Sequence, residues 1–112
     1  MKSIDFHPRA LEFLRAQSRP IRHRLGEALR DLQKGITLGM PLSRPMPVVA
    51  PGVCELRVKD DDSTVRVFYF AATSHAILVF HGFQKKAQKT PARELDLARR
   101  RLKEIINAKV ES

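Results

Sequence analysis

The chain has no tryptophan, one tyrosine and a single cysteine among 112 residues. One cysteine, Cys54, cannot close an internal disulfide, which excludes the cross-linked class of small secreted domains and fits a reducing compartment. It stands among alternating apolar residues and reads as a small core residue. No apolar run approaches the roughly 18 residues of a membrane-spanning helix. The opening Met1-Lys2-Ser3-Ile4-Asp5 lacks the apolar stretch of a secretory leader, so the cytoplasm is the expected location. The spacings of metal sites are also missing: His7, His23, His75 and His81 are scattered, and there is no cysteine pair. Asp60-Asp61-Asp62 are consecutive, so their side chains point apart, as suits a solvated hairpin tip rather than a divalent-ion site. No glycine-rich phosphate loop and no Gly-x-Ser-x-Gly turn occurs. Neither metal nor cofactor is expected, and any chemistry must come from Lys, Arg, Tyr and His.

What the chain has in excess is positive charge, a formal +9. Residues 81–103 carry eight Lys or Arg (Lys85, Lys86, Lys89, Arg93, Arg99, Arg100, Arg101 and Lys103) against Glu94 and Asp96, a net +6, whereas residues 35–80 are neutral. Two thirds of the excess thus lies in about one fifth of the chain. Such clustering suits a face that binds phosphates; the bland alternative is a solvated helix face. Apolar residues make up 43% and charged residues 29%, as in a folded domain, and the length suits one domain over 1–112.

Hydrophobic spacing sets out the elements. Ile4-Asp5-Phe6 suits a short edge strand. Pro8 opens a first helix to about Gln17, with Ala10, Leu11 and Leu14 on one side; Pro20 opens a second, with Ile21, Leu25, Ala28, Leu29 and Leu32 as its stripe and Gly35 as a left-handed cap. Residues 35–53 hold four prolines and three glycines, so no regular element is expected; the segment is either a functional or mobile loop or one that simply wraps the sheet. Val53–Val58 alternates, placing Cys54, Leu56 and Val58 on one face and Glu55 and Arg57 on the other. Thr64–Phe70 and Ala76–Phe80 are apolar on both faces and read as central strands. Thr90-Pro91 starts a last helix with Leu95, Ala98, Leu102, Ile105 and Ile106 buried. The expected class is α+β: two N-terminal helices, a twisted antiparallel sheet of three to four strands, and a C-terminal helix.

Arg66 is the most informative residue, because it interrupts an apolar central strand and an unpaired buried guanidinium costs several kcal/mol. Either it pairs with a buried acid, for which Glu55 is the candidate, or its face opens into an anion site. Arg57 can share that face, and two planar guanidinium forks suit a phosphodiester. The second cluster is the run His81–Pro91, read as leaving the last strand. There Gly82 allows close backbone approach, Lys85, Lys86 and Lys89 face phosphate, and His81 is either a proton shuttle or a structural histidine. Phe83 either stacks a base or belongs to the core. Tyr69, three residues after Arg66, falls on the opposite face of a regular strand and needs a bulge to join the same site.

Gly52-Val53-Cys54-Glu55-Leu56-Arg57, Val65-Arg66-Val67-Phe68-Tyr69, His81-Gly82-Phe83-Gln84-Lys85-Lys86-Ala87-Gln88-Lys89-Thr90-Pro91 and the opening Phe6-His7-Pro8 resemble the phage-derived HigB-type branch of the RelE/ParE toxin superfamily. The likeness implies a RelE-like fold and the toxin of a type II toxin–antitoxin pair. It implies metal-independent cleavage of mRNA in the ribosomal A site, and a helix-turn-helix antitoxin as partner. Arg66 matches the superfamily's strand arginine, Lys85, Lys86 or Lys89 its basic residues after the last strand, and Glu55 and Arg57 its Glu-Leu-Arg motif. Ser43–Pro51 departs from the family in being longer than the usual link before that motif. The expected reaction is attack by the RNA's own 2′-hydroxyl to give a 2′,3′-cyclic phosphate. Arg66 and Arg57 stabilise the phosphoryl charge, Lys85, Lys86 or His81 move protons, and Lys89, Phe83, Arg93 and Tyr69 hold RNA. A non-catalytic RNA- or ribosome-binding module and a protein-interaction module remain as the alternatives.

Overall fold

The computed structural model describes residues 1–71, 74–86 and 89–111, with side chains as far as Lys109. Strand β1 (Ser3–Phe6) leads into helices α1 (Pro8–Arg15) and α2 (Arg19–Gln33), then strands β2 (Ser43–Pro45), β3 (Val53–Lys59), β4 (Thr64–Phe70) and β5 (Ala76–Gln84), and finally helix α3 (Ala92–Glu111). The helix starts have local causes. The His7 ring accepts the Arg9 N–H and the Ser18 hydroxyl that of Ile21, each supplying an acceptor to an N–H that the helix leaves unbonded, with prolines in both first turns. Past α2, Gly35 takes φ 86°, which a side chain would oppose.

The α+β class and the three helices match the sequence pattern, but the sheet differs. It has five strands in the order β1-β5-β4-β3-β2, and β1 runs parallel to β5, from Ser3↔Ala76 to Phe6↔Val79. A purely antiparallel sheet of three to four strands is therefore incorrect. β2 escapes notice because Ser43-Arg44-Pro45 has no alternation, and β1 pairs with a strand 70 residues away, whose direction no local pattern encodes. Strand β5 also runs past Phe80 to Gln84, so His81, Gly82, Phe83 and Gln84 belong to the sheet and not to a departing loop. Opposite Phe68 and Tyr69 the register slips by one residue, from His81 to Val79, so Phe80 and His81 both turn to the α3 face.

Each face of the sheet has its own core. On one, Leu56, Val58, Val65, Val67, Tyr69, Ile77 and Val79 meet the apolar stripes of α1 and α2. On the other, Val53, Phe68, Leu78, Phe80 and Phe83 meet Ala98, Leu102 and Ile105 of α3. Ile106 stays 41% exposed and does not belong to the buried stripe. The proline-rich segment wraps the sheet: Met46 and Val49 are buried on the α3 side, and Leu38 and Leu42 pack on the other. Among the described residues, no helix is long and apolar enough to cross a membrane.

Candidate functional site

Strand pairing sorts the polar residues of the α3 face into two cross-strand rows. One row is Arg57–Arg66–Phe83, the next Arg44–Glu55–Phe68–His81. Arg57 and Arg66 do share a sheet surface. Their environments differ sharply, however. Arg66 is 2% exposed and its Nη1 donates to Glu55 Oε1 at 2.9 Å; Glu55 is 0% exposed and also accepts from Arg44 Nε at 3.0 Å. Of the two readings of Arg66, the buried pair is the one adopted. One carboxylate facing two guanidinium groups leaves one net positive charge, and Arg66 Nε and Glu55 Oε2 make no hydrogen bond among the described residues. Arg57 is half-buried, with no acidic partner within salt-bridge distance among the described residues. The row thus holds one neutralised and one available fork.

The strand β1 stops at Phe6↔Val79, so β5 beyond that point has a strand neighbour on one side only. A cleft of about 620 Å³ opens there between α1 and α3. Its lining joins Arg66, Phe83, Lys85, Lys86 and Lys89 with Arg93 and Arg101 of α3 and Arg9 of α1. The structure therefore brings most of the sequence-predicted residues to one cavity. Lys85 is fixed at its backbone, where its N–H donates to Thr64 O at 2.8 Å. Its ammonium is pushed below the ordinary lysine range, first by partial desolvation and then by repulsion from Arg66, Arg57 and Arg44, with Glu55 opposing. Lys86, Lys89 and Arg93 are exposed on the cleft's rim. Of the run His81–Pro91, residues 87 and 88 lie outside the described residues, as do 72 and 73 of the turn expected before β5.

Three candidates have other roles. His81 is buried, and Arg101 Nη1 donates to its Nδ1 at 2.7 Å. A guanidinium has no acceptor, so Nδ1 must offer a lone pair and the proton sits on Nε2, which donates to Glu94 Oε1 at 2.8 Å. Burial, more than the opposing Glu94, lowers its pKa below the usual 6.5. A neutral ring with both nitrogens engaged ties β5 to α3; it is the structural histidine and not a free shuttle. Phe83 is core, edge-on to Phe68 at 5.7 Å between ring centres. Tyr69 lies on the far face, its hydroxyl 2.6 Å from Ser43 Oγ, and burial pushes its pKa up to about 12. The bulge turns Phe80, not Tyr69, to the α3 face, so Tyr69 never meets Arg66. Gly82 serves packing and not ligand approach: a Cβ there would stand 2.5 Å from the Phe13 ring.

Sequence reasoning missed Arg44, Arg9, Glu94 and Arg101. Arg44 was hidden by the prolines around it. Glu94 and Arg101 left a signal, being seven residues apart beside the buried stripe of α3, hence on one helical edge. At the hairpin tip Asp60 Oδ1 accepts the N–H groups of Asp62 and Ser63, and Ser18 Oγ donates to Asp60 Oδ2 at 2.7 Å; these bonds lower its pKa to about 2. Among the described residues, no group of three or more His, Cys, Asp or Glu gathers as a metal-ligand set. The family model described as phage derived protein Gp49-like (DUF891) matches residues 12–103, from α1 to the middle of α3. No curated protein matches the chain.

Proposed function

The chain belongs to the phage-derived Gp49-like family, and from that membership and its cationic cleft we propose that it is a HigB-type toxin of a type II toxin–antitoxin pair that cuts mRNA without a metal. The family is associated with RelE- and HigB-like toxins. The observation that carries the RNA reading is the convergence of Arg57, Lys85, Lys86, Lys89 and Arg93 at one end of the sheet, with Arg66 beneath them. Ribosome-bound mRNA in the cytoplasm is the substrate in this reading, and a helix-turn-helix antitoxin the partner.

The reaction is in-line. The 2′-oxygen bonds to phosphorus as the P–O5′ bond breaks, giving a 2′,3′-cyclic phosphate and a free 5′-hydroxyl. Arg57 and Lys85 meet the charge that gathers on the phosphoryl oxygens, a kind of preorganised electrostatics often worth about 3–4 kcal/mol. Lys85 takes the 2′-hydroxyl proton as free amine, because its depressed pKa enlarges that fraction at neutral pH. Lys86, exposed beside it, returns a proton to the leaving oxygen. Arg66 acts from below, holding its row of the sheet through Glu55.

That buried pair also favours a second reading, an RNA- or ribosome-binding protein that does not cut, because it withdraws one of two forks from the phosphate. Mapping mRNA 5′ ends after expressing the wild type, Arg57→Ala and Lys85→Ala separates the two. New ends with the wild type, lost in both variants, support cleavage; growth arrest without new ends supports the binding reading. In vitro, cleavage that persists with a 2′-deoxy sugar at the scissile position sinks the mechanism.

A further inference from the structure

At the end of the sheet where the cationic cleft lies, Lys59, Thr64 and Lys85 stand side by side, through the pairings Lys59↔Thr64 and Lys85 N–H to Thr64 O. Two strand spacings, roughly 10 Å, separate Lys59 from Lys85. Beyond Lys59's strand a second cavity opens, of about 610 Å³, where β2 has ended at Ser43↔Leu56, Arg57 N–H makes one further bond to Leu42 O, and the last residues of β3 keep β4 alone as strand neighbour. Its rim on the strand side is cationic: Arg57, Lys59 and Lys85. Its floor is apolar, from Ala28, Leu42 and Val58; from α2, Arg24 reaches across to donate to Lys59 O and joins the cationic side, while the α2 wall behind it carries the carboxylates Glu27 and Asp31. Lys85 is common to the linings of the two cavities.

We infer that this second cavity is a nucleotide subsite, and that a single RNA strand crosses the end of the sheet from one cavity to the other over Lys85. The charge pattern sets the strand's orientation. Phosphates follow the Arg57–Lys59–Lys85 side, since the α2 carboxylates repel them, and the base turns toward α2 across the apolar floor. Carboxylates accept and do not donate, so Glu27 and Asp31 suit a base edge that presents amino hydrogens. The inference rests on the RNA reading above and adds where the chain next to the scissile phosphate goes.

The test uses the full chain and a fluorescently labelled 2′-O-methyl hexanucleotide, which binds without being cut. Lys59→Glu, at an exposed position that lines the second cavity, is compared with Lys103→Glu, the same charge change on an exposed part of α3 that lines neither cavity. Lys59→Glu should weaken binding by about tenfold and lower the salt slope by about one, with Lys103→Glu near wild type. Equal losses in both variants overturn the inference, since they mean attraction by total charge alone. A wild type that binds no RNA at low salt takes down the RNA reading itself, and the subsite with it.

Discussion

The two faces of the sheet are covered in different ways. Under α1 and α2 the face is apolar from Leu56 and Val58 across to Ile77 and Val79. Under α3 the apolar cover runs from Val53 and Leu78 to Phe83, and the same face carries the buried pair Glu55–Arg66 and, at its margin, the half-buried Arg57. Unpaired charge sits where the cover gives out. The lesson repeats within a single row: Arg66, under the cover, is paired with Glu55, while Arg57, one strand outward, has no acidic partner among the described residues. Burying an ion pair is weak support for stability, but breaking one is expensive because the survivor stays buried without its partner.

The largest effect should come from that contrast. Glu55→Ala leaves Arg66 and Arg44 facing each other and should cost about 3–5 kcal/mol, read as the midpoint of urea unfolding. Arg57→Ala should stay within about 0.5 kcal/mol of wild type while lowering RNA cleavage by about 10²-fold or more. Equal destabilisation by the two would erase the distinction between covered and uncovered positions. The helical-hairpin face can be probed at Gly82, where a Cβ must displace the Phe13 ring: Gly82→Ala should lose about 1–3 kcal/mol, and a neutral result would show that face to be loosely packed.

Titrations sharpen the picture further. The folded-state pKa of His81 is lowered, so in acid the folded protein holds fewer protons there than the unfolded chain. This contribution to stability is whole above the unfolded value near 6.5 and fades as pH falls below it. The urea midpoint of the wild type should therefore drop between about pH 7 and 5, with a shallower drop in His81→Gln. The smallest effect concerns Lys85. Arg57→Gln removes one of the cations that repel its ammonium, so the Lys85 amine, followed by NMR, should titrate at higher pH than in wild type. An unchanged titration would place Arg57 away from Lys85.

Much of the fold was legible because its causes are local. Pro8, Pro20 and Gly35 bound the helical hairpin, and Val53–Val58 declares its faces by alternation. Part of the candidate site's layout was legible as a set of residue types: Arg66, Lys85, Lys86 and Lys89 line one cleft, while Arg57 stands opposite Arg66 in the sheet and lines the neighbouring cavity with Lys85. Their states were not legible. That Glu55 takes Arg66 and Arg44 together depends on β2 pairing with β3, a contact between a proline-bounded tripeptide and a strand ten residues on. That His81 is tied to Glu94 and Arg101 depends on a one-residue bulge, which turns a residue from one face to the other without any mark in composition.

By itself the amino-acid order determined the three helices, the strands β1, β3 and β4 and most of β5, the apolar side of the helices and of β3, and where the positive charge gathers, because spacing and chain stiffness act over a few residues. Tertiary structure alone decided the parallel edge strand, the slip of register and the choice between a neutralised and an available arginine. Those depend on which distant groups share one desolvated volume, and the free energy of a charge is set by that volume and not by its neighbours along the chain.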